Sequence, residues 1–134
     1  MATGAAAMGS EVNMFFTCWG LSAIKKKRSF KNKNFFERML AFMLPKGPEN
    51  VPTSNMNMMG IGPRFFEMMM AQKNVQKLPA LISLARDLDV NIQACQMSMD
   101  VMGIHKEELL DDISYCGVAA FLGDADRSRT TLFI

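Results

Sequence analysis

The fold of this chain is decided by the stretch VNIQACQMSMDVMGI, residues 90–104. It reads as a buried strand, Val90–Cys95, that passes directly into a helical segment. In an open α/β sheet, ligands bind outside the carboxyl ends of the strands. A helix amino terminus at that edge lowers the pKa of a cysteine and favours the thiolate. Cys95 is therefore the first candidate for a reactive residue.

Helical and strand patterns alternate on both sides of this stretch. They predict helices over 2–9, 30–44, 65–71, 78–89 and 104–114, and strands over 12–17, 90–95, 118–122 and 130–134. A loop is expected over 45–63, and its part from Asn55 to Pro63 is rich in methionine and glycine. The strands are nearly continuous apolar runs, which is typical of a mostly parallel sheet covered on both faces. The sequence therefore predicts an α/β fold.

Bulk properties exclude several classes of protein. The 134 residues fit one domain, 1–134, and the balance of 49% apolar to 21% charged residues is that of a globular protein. No apolar run is long enough to span a bilayer, and a net charge of +2 predicts no nucleic-acid partner. No motif for a cofactor, a zinc site or a phosphate loop is present, so neither cofactor nor metal is predicted. Three cysteines without a secretory signal favour a reducing cytoplasm.

Five segments carry a resemblance to a known family. They are TGAAA (3–7), FFTCWGL (15–21), CQMSM (95–99), GVAAFL (117–122) and TLFI (131–134). Together they resemble the DsrE/DsrF-like family over nearly the whole chain. The resemblance implies a flavodoxin-like three-layer fold, a homo-oligomer and a role in sulfur relay. In such a relay, a cysteine accepts and passes sulfur as a persulfide or thiosulfonate. Some relatives are called peroxiredoxin-like.

The chain departs from the family pattern at two places. Relatives have a further strand before the segment that matches residues 2–7, so we expect an amino-terminally shortened domain with an unpaired sheet edge. Cys18 stands where relatives commonly have phenylalanine, so no family role carries over to it.

The three cysteines receive different expectations. The reactive family position matches Cys95; the alternative is a buried cysteine that only packs. Cys18 follows a strand and is a candidate relay thiol, although a packed cysteine in place of an aromatic residue is the competing interpretation. Cys116 is expected at the amino end of the 118–122 strand, away from the chemistry, in a structural role.

Other polar and sulfur-containing residues have weaker expectations. The basic cluster Lys25, Lys26, Lys27 and Arg28 is a candidate for steering anionic sulfur species, and the alternative is a solvated face. His105 is expected to be an exposed helix residue. The 14 methionines suit core packing and an adaptable partner surface better than a copper(I) site.

The function predicted from the sequence is that of a cytoplasmic sulfur carrier or sulfurtransferase-like protein using Cys95. Whether it turns over as an enzyme stays open. Its predicted partners are a sulfur-relay carrier protein or a small sulfane-sulfur species, with a membrane-associated partner also allowed. The alternative is a non-catalytic adaptor or oligomeric structural subunit that binds a partner through its Met-rich surface.

Overall fold

A computed structural model describes residues 1–26, 35–51 and 61–133 of the chain. The described part contains one sheet with three parallel strands: β1 (Asn13–Phe16), β2 (Asn91–Cys95) and β3 (Ser114–Cys116), in the spatial order β1-β2-β3. The predicted α/β class with a mostly parallel sheet is confirmed, and the architecture is consistent with a flavodoxin-like fold.

Helices connect and flank these strands. Their bounds are α1 (Ala2–Ala7), α2 (Phe35–Met43), α3 (Ile61–Gln72), α4 (Leu78–Asp87), α5 (Gln96–Met102) and α6 (Val118–Arg127). Short 3-10 helices span Cys18–Ile24, Pro48–Asn50 and Lys106–Glu108. Pro79 lies in the first turn of α4, as predicted, because that position needs no amide donor.

The two faces of the sheet differ in chemistry because successive residues of a strand point to opposite sides. Ile92 and Ala94 of β2 are buried in the hydrophobic core, which also contains Leu21 and Leu109. Gln93 and Cys95 lie on the other face, which helix α6 covers. There the ring of Phe121 stacks on that of Phe15, with a centroid distance of 5.2 Å.

The prediction of a strand over 118–122 was wrong. These residues begin α6, while the strand itself, β3, ends two residues earlier at Cys116. A short apolar run cannot be assigned by its hydrophobicity alone. The helix is favoured by the alanine-rich composition of residues 118–127 and by the packing of Phe121 on the sheet.

The helix predicted over 104–114 was also wrong. Helix α5 occupies Gln96–Met102 and ends at Gly103, and only Lys106–Glu108 form a 3-10 turn before β3. The predicted final strand is absent from residues 130–133, and Ile134 lies outside the described residues. Helix α3 starts at Ile61, inside the predicted loop. Of the helix expected over 30–44, the structure describes the part from Phe35 onward.

Gly103 ends α5 in a left-handed conformation, with φ of 60°. A Cβ atom at this position would lie only 2.6 Å from Cγ of Glu37 in α2. Glycine is therefore required here both by the backbone conformation and by the close approach of α2 to α5. The contact fixes the far end of the helix that begins at Cys95.

In the part of the chain that the structure describes, no helix combines the length and apolar character needed to cross a bilayer.

Candidate functional site

All three cysteines of the chain lie at the carboxyl edge of the sheet. Cys95 is the last residue of β2 and Cys116 is the last residue of β3, while Cys18 follows the end of β1 by two residues. The thiols are free. This is the edge at which open α/β sheets bind their ligands.

The Cys95 thiol is surrounded by hydrogen-bond donors. Burial raises its pKa, but the hydroxyl and amide of Ser98, the hydroxyl of Thr17 and the amide of Met97 together outweigh burial, so the pKa of Cys95 is lowered. Donors directed at a sulfur stabilise the thiolate over the thiol. The side chain is only 2% exposed. Cys95 therefore combines thiolate character with limited access.

Ser98 connects the two cysteines across strands β1 and β2. Its hydroxyl shares a 2.7 Å hydrogen bond with the hydroxyl of Thr17 and lies 3.7 Å from Sγ of Cys18. It also lowers the pKa of Cys95 through a hydrogen bond to that thiol. Ser98 comes three residues after Cys95, one turn into α5, and this spacing returns its side chain to the start of the helix. That spacing is the sequence signal that could have identified Ser98 as a site residue.

Cys18 is the accessible thiol of the pair. Hydrogen bonds from the hydroxyls of Thr17 and Ser98 lower its pKa, while slight burial and the negative charge of Cys95 oppose them. The Oγ1–Sγ distance to Thr17 is 3.5 Å. Its backbone has φ of 46°, a left-handed conformation that is unfavourable for a residue with a Cβ. The neighbouring side chain of Trp19 is 64% exposed.

Cys116 lies at the opposite end of its strand from the one expected. It is the Cα partner of Cys95 in the β2–β3 ladder, so both side chains lie on the same face of the sheet. Its Sγ donates to Oε1 of Gln93 at 3.4 Å, and Nε2 of Gln93 donates to Asp124 at 3.0 Å. Burial, followed by the charges of Asp124 and Cys95, raises the pKa of Cys116. The sequence reasoning missed this residue because it placed the strand after Cys116.

The described members of the basic cluster are already engaged in local structure. Lys25 is 2% exposed, and its backbone forms a bridge to Leu109. The ammonium group of Lys26 forms an ion pair with Asp111. Lys27 and Arg28 lie outside the described residues. Steering of anions by this cluster stays a prediction.

His105 is not the exposed helix residue that the sequence suggested. It is half-buried at the start of the Lys106–Glu108 turn, and its Nε2 has no hydrogen-bond partner among the described residues. Within the same described ranges, no group of three or more His, Cys, Asp or Glu side chains is arranged to hold a metal ion. The Met56–Met58 segment of the copper interpretation lies outside them.

Comparison with known proteins shows the family of this chain. The DsrE/DsrF/DrsH-like family matches residues 1–133. The chain is 43% identical over 135 residues to the Bacillus subtilis (strain 168) protein named "Uncharacterized protein YrkE", covering 100% of this chain and 84% of that protein. It is 32% identical over 138 residues to "Sulfur carrier protein DsrE2" of Allochromatium vinosum, covering 100% of this chain and 86% of that protein. The chain thus belongs to the DsrE/DsrF/DrsH-like family.

Proposed function

We propose that this protein is a sulfur carrier that takes up sulfur on Cys95 as a persulfide or thiosulfonate and passes it to a partner protein. Membership of the DsrE/DsrF/DrsH-like family and the similarity to a protein named a sulfur carrier support a sulfur-relay role. The proposal goes beyond this role by assigning the uptake and transfer of sulfur to Cys95.

One observation carries this proposal: the Cys95 thiol ends the central strand among donors from Met97, Ser98 and Thr17. The thiolate is the nucleophile in sulfur transfer, and these donors favour it. A persulfide anion carries its charge on the outer sulfur, so the same donors stabilise the loaded form. The arrangement thus suits both the attack on sulfur and its retention.

Cys18 acts in this proposal as the relay thiol. Cys95 is almost fully buried, whereas Cys18 is exposed and lies next to the shared hydroxyl of Ser98. A donor first loads Cys18; the Cys95 thiolate then attacks the outer sulfur of the Cys18 persulfide. The S–S bond to Cys18 breaks, and Cys18 leaves as a thiolate. The sulfur atom moves without net oxidation or reduction.

The predicted surroundings of the protein follow from the same chemistry. Free thiols at the site favour the cytoplasm, where disulfides are rare. An incoming polysulfide or thiosulfonate is anionic, so the cluster Lys25, Lys26, Lys27 and Arg28 is proposed to raise the local concentration of donor. Lys26 is paired with Asp111 but remains partly exposed, so it is proposed to contribute more than the buried Lys25. We also expect a homo-oligomer and transfer to a carrier partner.

The test is intact-mass analysis of the folded protein after exposure to polysulfide. Wild type, Cys95→Ser and Cys18→Ser are compared, with tetrathionate as a second donor. We expect polysulfide to leave one reductant-sensitive sulfur atom, and tetrathionate a thiosulfonate group, on the tryptic peptide that contains Cys95. In Cys95→Ser the adduct should stay on the peptide that contains the exposed Cys18. Cys18→Ser should load the same site more slowly. A well-folded wild type that gains no sulfur on Cys95 would overturn the proposal.

A second candidate function is supported by a different surface. The exposed residues of α2 include five large apolar side chains: Phe35, Phe36, Met39, Phe42 and Met43. Contiguous apolar patches on a protein surface mark interaction sites. An adaptor or structural subunit would use this face for binding and would need no reactive thiol. This candidate would be favoured if sulfur donors leave Cys95 unmodified and if Phe42→Ser abolishes partner binding.

A further inference from the structure

Cys95 and Cys116 form a second pair of thiols at the sheet edge. They are Cα partners in a parallel ladder, and their side chains share one face. Neighbouring strands lie about 4.8 Å apart, which is within the Cα separation of about 4.4–6.8 Å that disulfides span. The Cα positions of the two residues are therefore within the reach of a disulfide.

The Cys116 thiol is hydrogen-bonded to the side chain of Gln93. The carboxylate of Asp124 only accepts hydrogen bonds, so it fixes Nε2 of Gln93 toward itself and leaves Oε1 for the thiol of Cys116. Gln93 is 7% exposed, so water hardly competes for this contact. The thiol hydrogen is thereby directed toward Gln93, two residues before Cys95 on β2, and breaking this hydrogen bond is a step that attack on Cys95 requires.

We propose that Cys116 is a resolving thiol, which removes sulfur from Cys95 as sulfide and forms a Cys95–Cys116 disulfide, and that Gln93 slows this step. The inference rests on the proposed function, because it needs sulfur on Cys95. It adds an outcome that a simple carrier lacks: when no acceptor takes the sulfur, the protein reduces it. Gln93 is a positioning residue here and touches no reacting sulfur.

The reaction balances without an external oxidant. Cys116 loses its proton, and its sulfur attacks Sγ of the Cys95 persulfide. The bond between Sγ and the outer sulfur breaks, and the outer sulfur leaves with the electron pair and is protonated to sulfide. That sulfur is reduced by two electrons, and the two cysteines are oxidised to the disulfide. A dithiol reductant regenerates both thiols and becomes a disulfide itself.

Resolution by Cys116 differs from relay through Cys18 in the sulfur atom that is attacked. Relay transfers the outer sulfur and leaves both cysteines reduced, whereas resolution attacks the inner sulfur and oxidises both. The two routes are separable by mass, because trypsin cleaves after Lys25, Arg86, Lys106 and Arg127 and thus places the three cysteines in separate peptides.

The first experiment follows sulfide release in a Cys18→Ser background, so that only Cys95 and Cys116 remain. The protein is loaded with polysulfide, freed of excess donor and incubated without reductant. We expect sulfide, a monomer mass lower by two hydrogen atoms than the reduced protein, and a bond between the Cys95 and Cys116 peptides. Adding Cys116→Ser should slow release several-fold and preserve the loaded mass. Adding Gln93→Leu should accelerate release several-fold, with loading and circular dichroism reporting that this variant is folded.

The inference is overturned if Cys18→Ser/Cys116→Ser releases sulfide as fast as Cys18→Ser. It is equally overturned if loaded protein shows no bond between the two peptides. A faster release in Gln93→Leu that persists when Cys116 is replaced would contradict the role of Gln93.

A second experiment needs no sulfur loading, so its failure is distinct from failure of the proposed function. Less than one equivalent of 5,5′-dithiobis(2-nitrobenzoate) places a thionitrobenzoate group on Cys95 in the Cys18→Ser background. Resolution by Cys116 then expels a second thionitrobenzoate for each reagent molecule. We expect two thionitrobenzoate molecules per reagent molecule from Cys18→Ser and one from Cys18→Ser/Cys116→Ser. Release of two thionitrobenzoate molecules per reagent molecule from a protein that accepts no sulfur would contradict the carrier proposal and support the Cys95–Cys116 pair. Release of one thionitrobenzoate molecule from both proteins would overturn the Cys95–Cys116 pair.

Discussion

Cys95 and Cys116 are partners in one strand ladder, yet their thiols have opposite tendencies to ionise. Cys95 lies among donors that lower its pKa although burial opposes them, whereas burial, Asp124 and the charge of Cys95 raise the pKa of Cys116. Hydrogen bonds lower the pKa of one thiol, and burial and nearby negative charges raise the pKa of the other. The difference leads directly to an order of reactivity.

We predict that iodoacetamide modifies Cys18 first and Cys116 last at neutral pH. Cys18 is exposed and has a lowered pKa, while Cys116 is half-buried and stays protonated. Raising the pH should accelerate modification of Cys116 most, because its thiol ionises at the highest pH of the three. The rates are measured from the three separate tryptic peptides. Faster modification of Cys116 than of Cys18 would contradict the geometry.

Ser98→Ala should raise the pKa of both Cys18 and Cys95, because hydrogen bonding with the Ser98 hydroxyl lowers the pKa of each thiol. At neutral pH, less of each thiol is then ionised, and alkylation of both should slow several-fold. The pH dependence of alkylation checks this result. Ser114→Ala is the matched control, since the Ser114 hydroxyl donates to Asn91 and to neither thiol. Equal effects of the two substitutions would show that Ser98 has no special connection to the cysteines.

Gly103→Ala should destabilise the protein by about 1–2 kcal/mol, because a Cβ is unfavourable in the left-handed conformation. The added atom also meets the side chain of Glu37. Urea unfolding measures the free energy. Gly123→Ala, in the interior of α6 with open space for a Cβ, is the control and should stabilise by about 0.5–1 kcal/mol. Loss of stability that is similar in both variants would exclude the conformational explanation.

Cys18→Gly should give a more stable protein than Cys18→Ala. Both substitutions remove the thiol, but only glycine relieves the left-handed backbone at φ of 46°. The expected difference is about 0.5–1 kcal/mol, because the left-handed conformation costs alanine about 1–2 kcal/mol and the larger loss of backbone entropy by glycine offsets only part of this advantage. Thermal unfolding of the two variants measures it. A more stable alanine variant would mean that the backbone at this position relaxes once the thiol is gone.

Loading of Cys95 by anionic sulfur donors should slow as salt is added, if the basic cluster steers them. Screening shortens the reach of exposed charges to about 10 Å at 0.1 M ionic strength. The rate with tetrathionate is compared between low and high salt, and then in Lys26→Gln. Alkylation by neutral iodoacetamide provides the control for general salt effects. A tetrathionate rate that does not respond to salt would remove the steering role.

Much of the candidate site could be read from local sequence. Residues 90–95 have the length of a strand and contain the core residues Val90, Ile92 and Ala94, so strand β2 and the position of Cys95 at its end were predictable. Pro79 likewise marked the first turn of α4. These features depend on hydrophobic period and backbone restriction within a few residues of chain.

The part of the sheet edge formed by β3 and α6 could not be predicted from local sequence. The residues after Gly117 are short, apolar and compatible with either a strand or a helix, and the sequence reasoning chose the strand. In the structure, Phe121 packs on Phe15, which is more than 100 positions away, and Gln93 reaches Asp124 in the same helix. These contacts between distant parts of the chain decide that α6 covers the sheet and that β3 ends at Cys116.

The sequence by itself determined the α/β class, the strand that carries Cys95 and the family to which the chain belongs. These depend on local hydrophobic patterns and on motifs that remain recognisable in linear order. Only the tertiary structure decided that Ser98 links Cys18 to Cys95, and that Cys116 is paired with Cys95 and hydrogen-bonded to Gln93. The physical reason is strand register: parallel pairing brings together residues whose separation along the chain contains no signal of their contact.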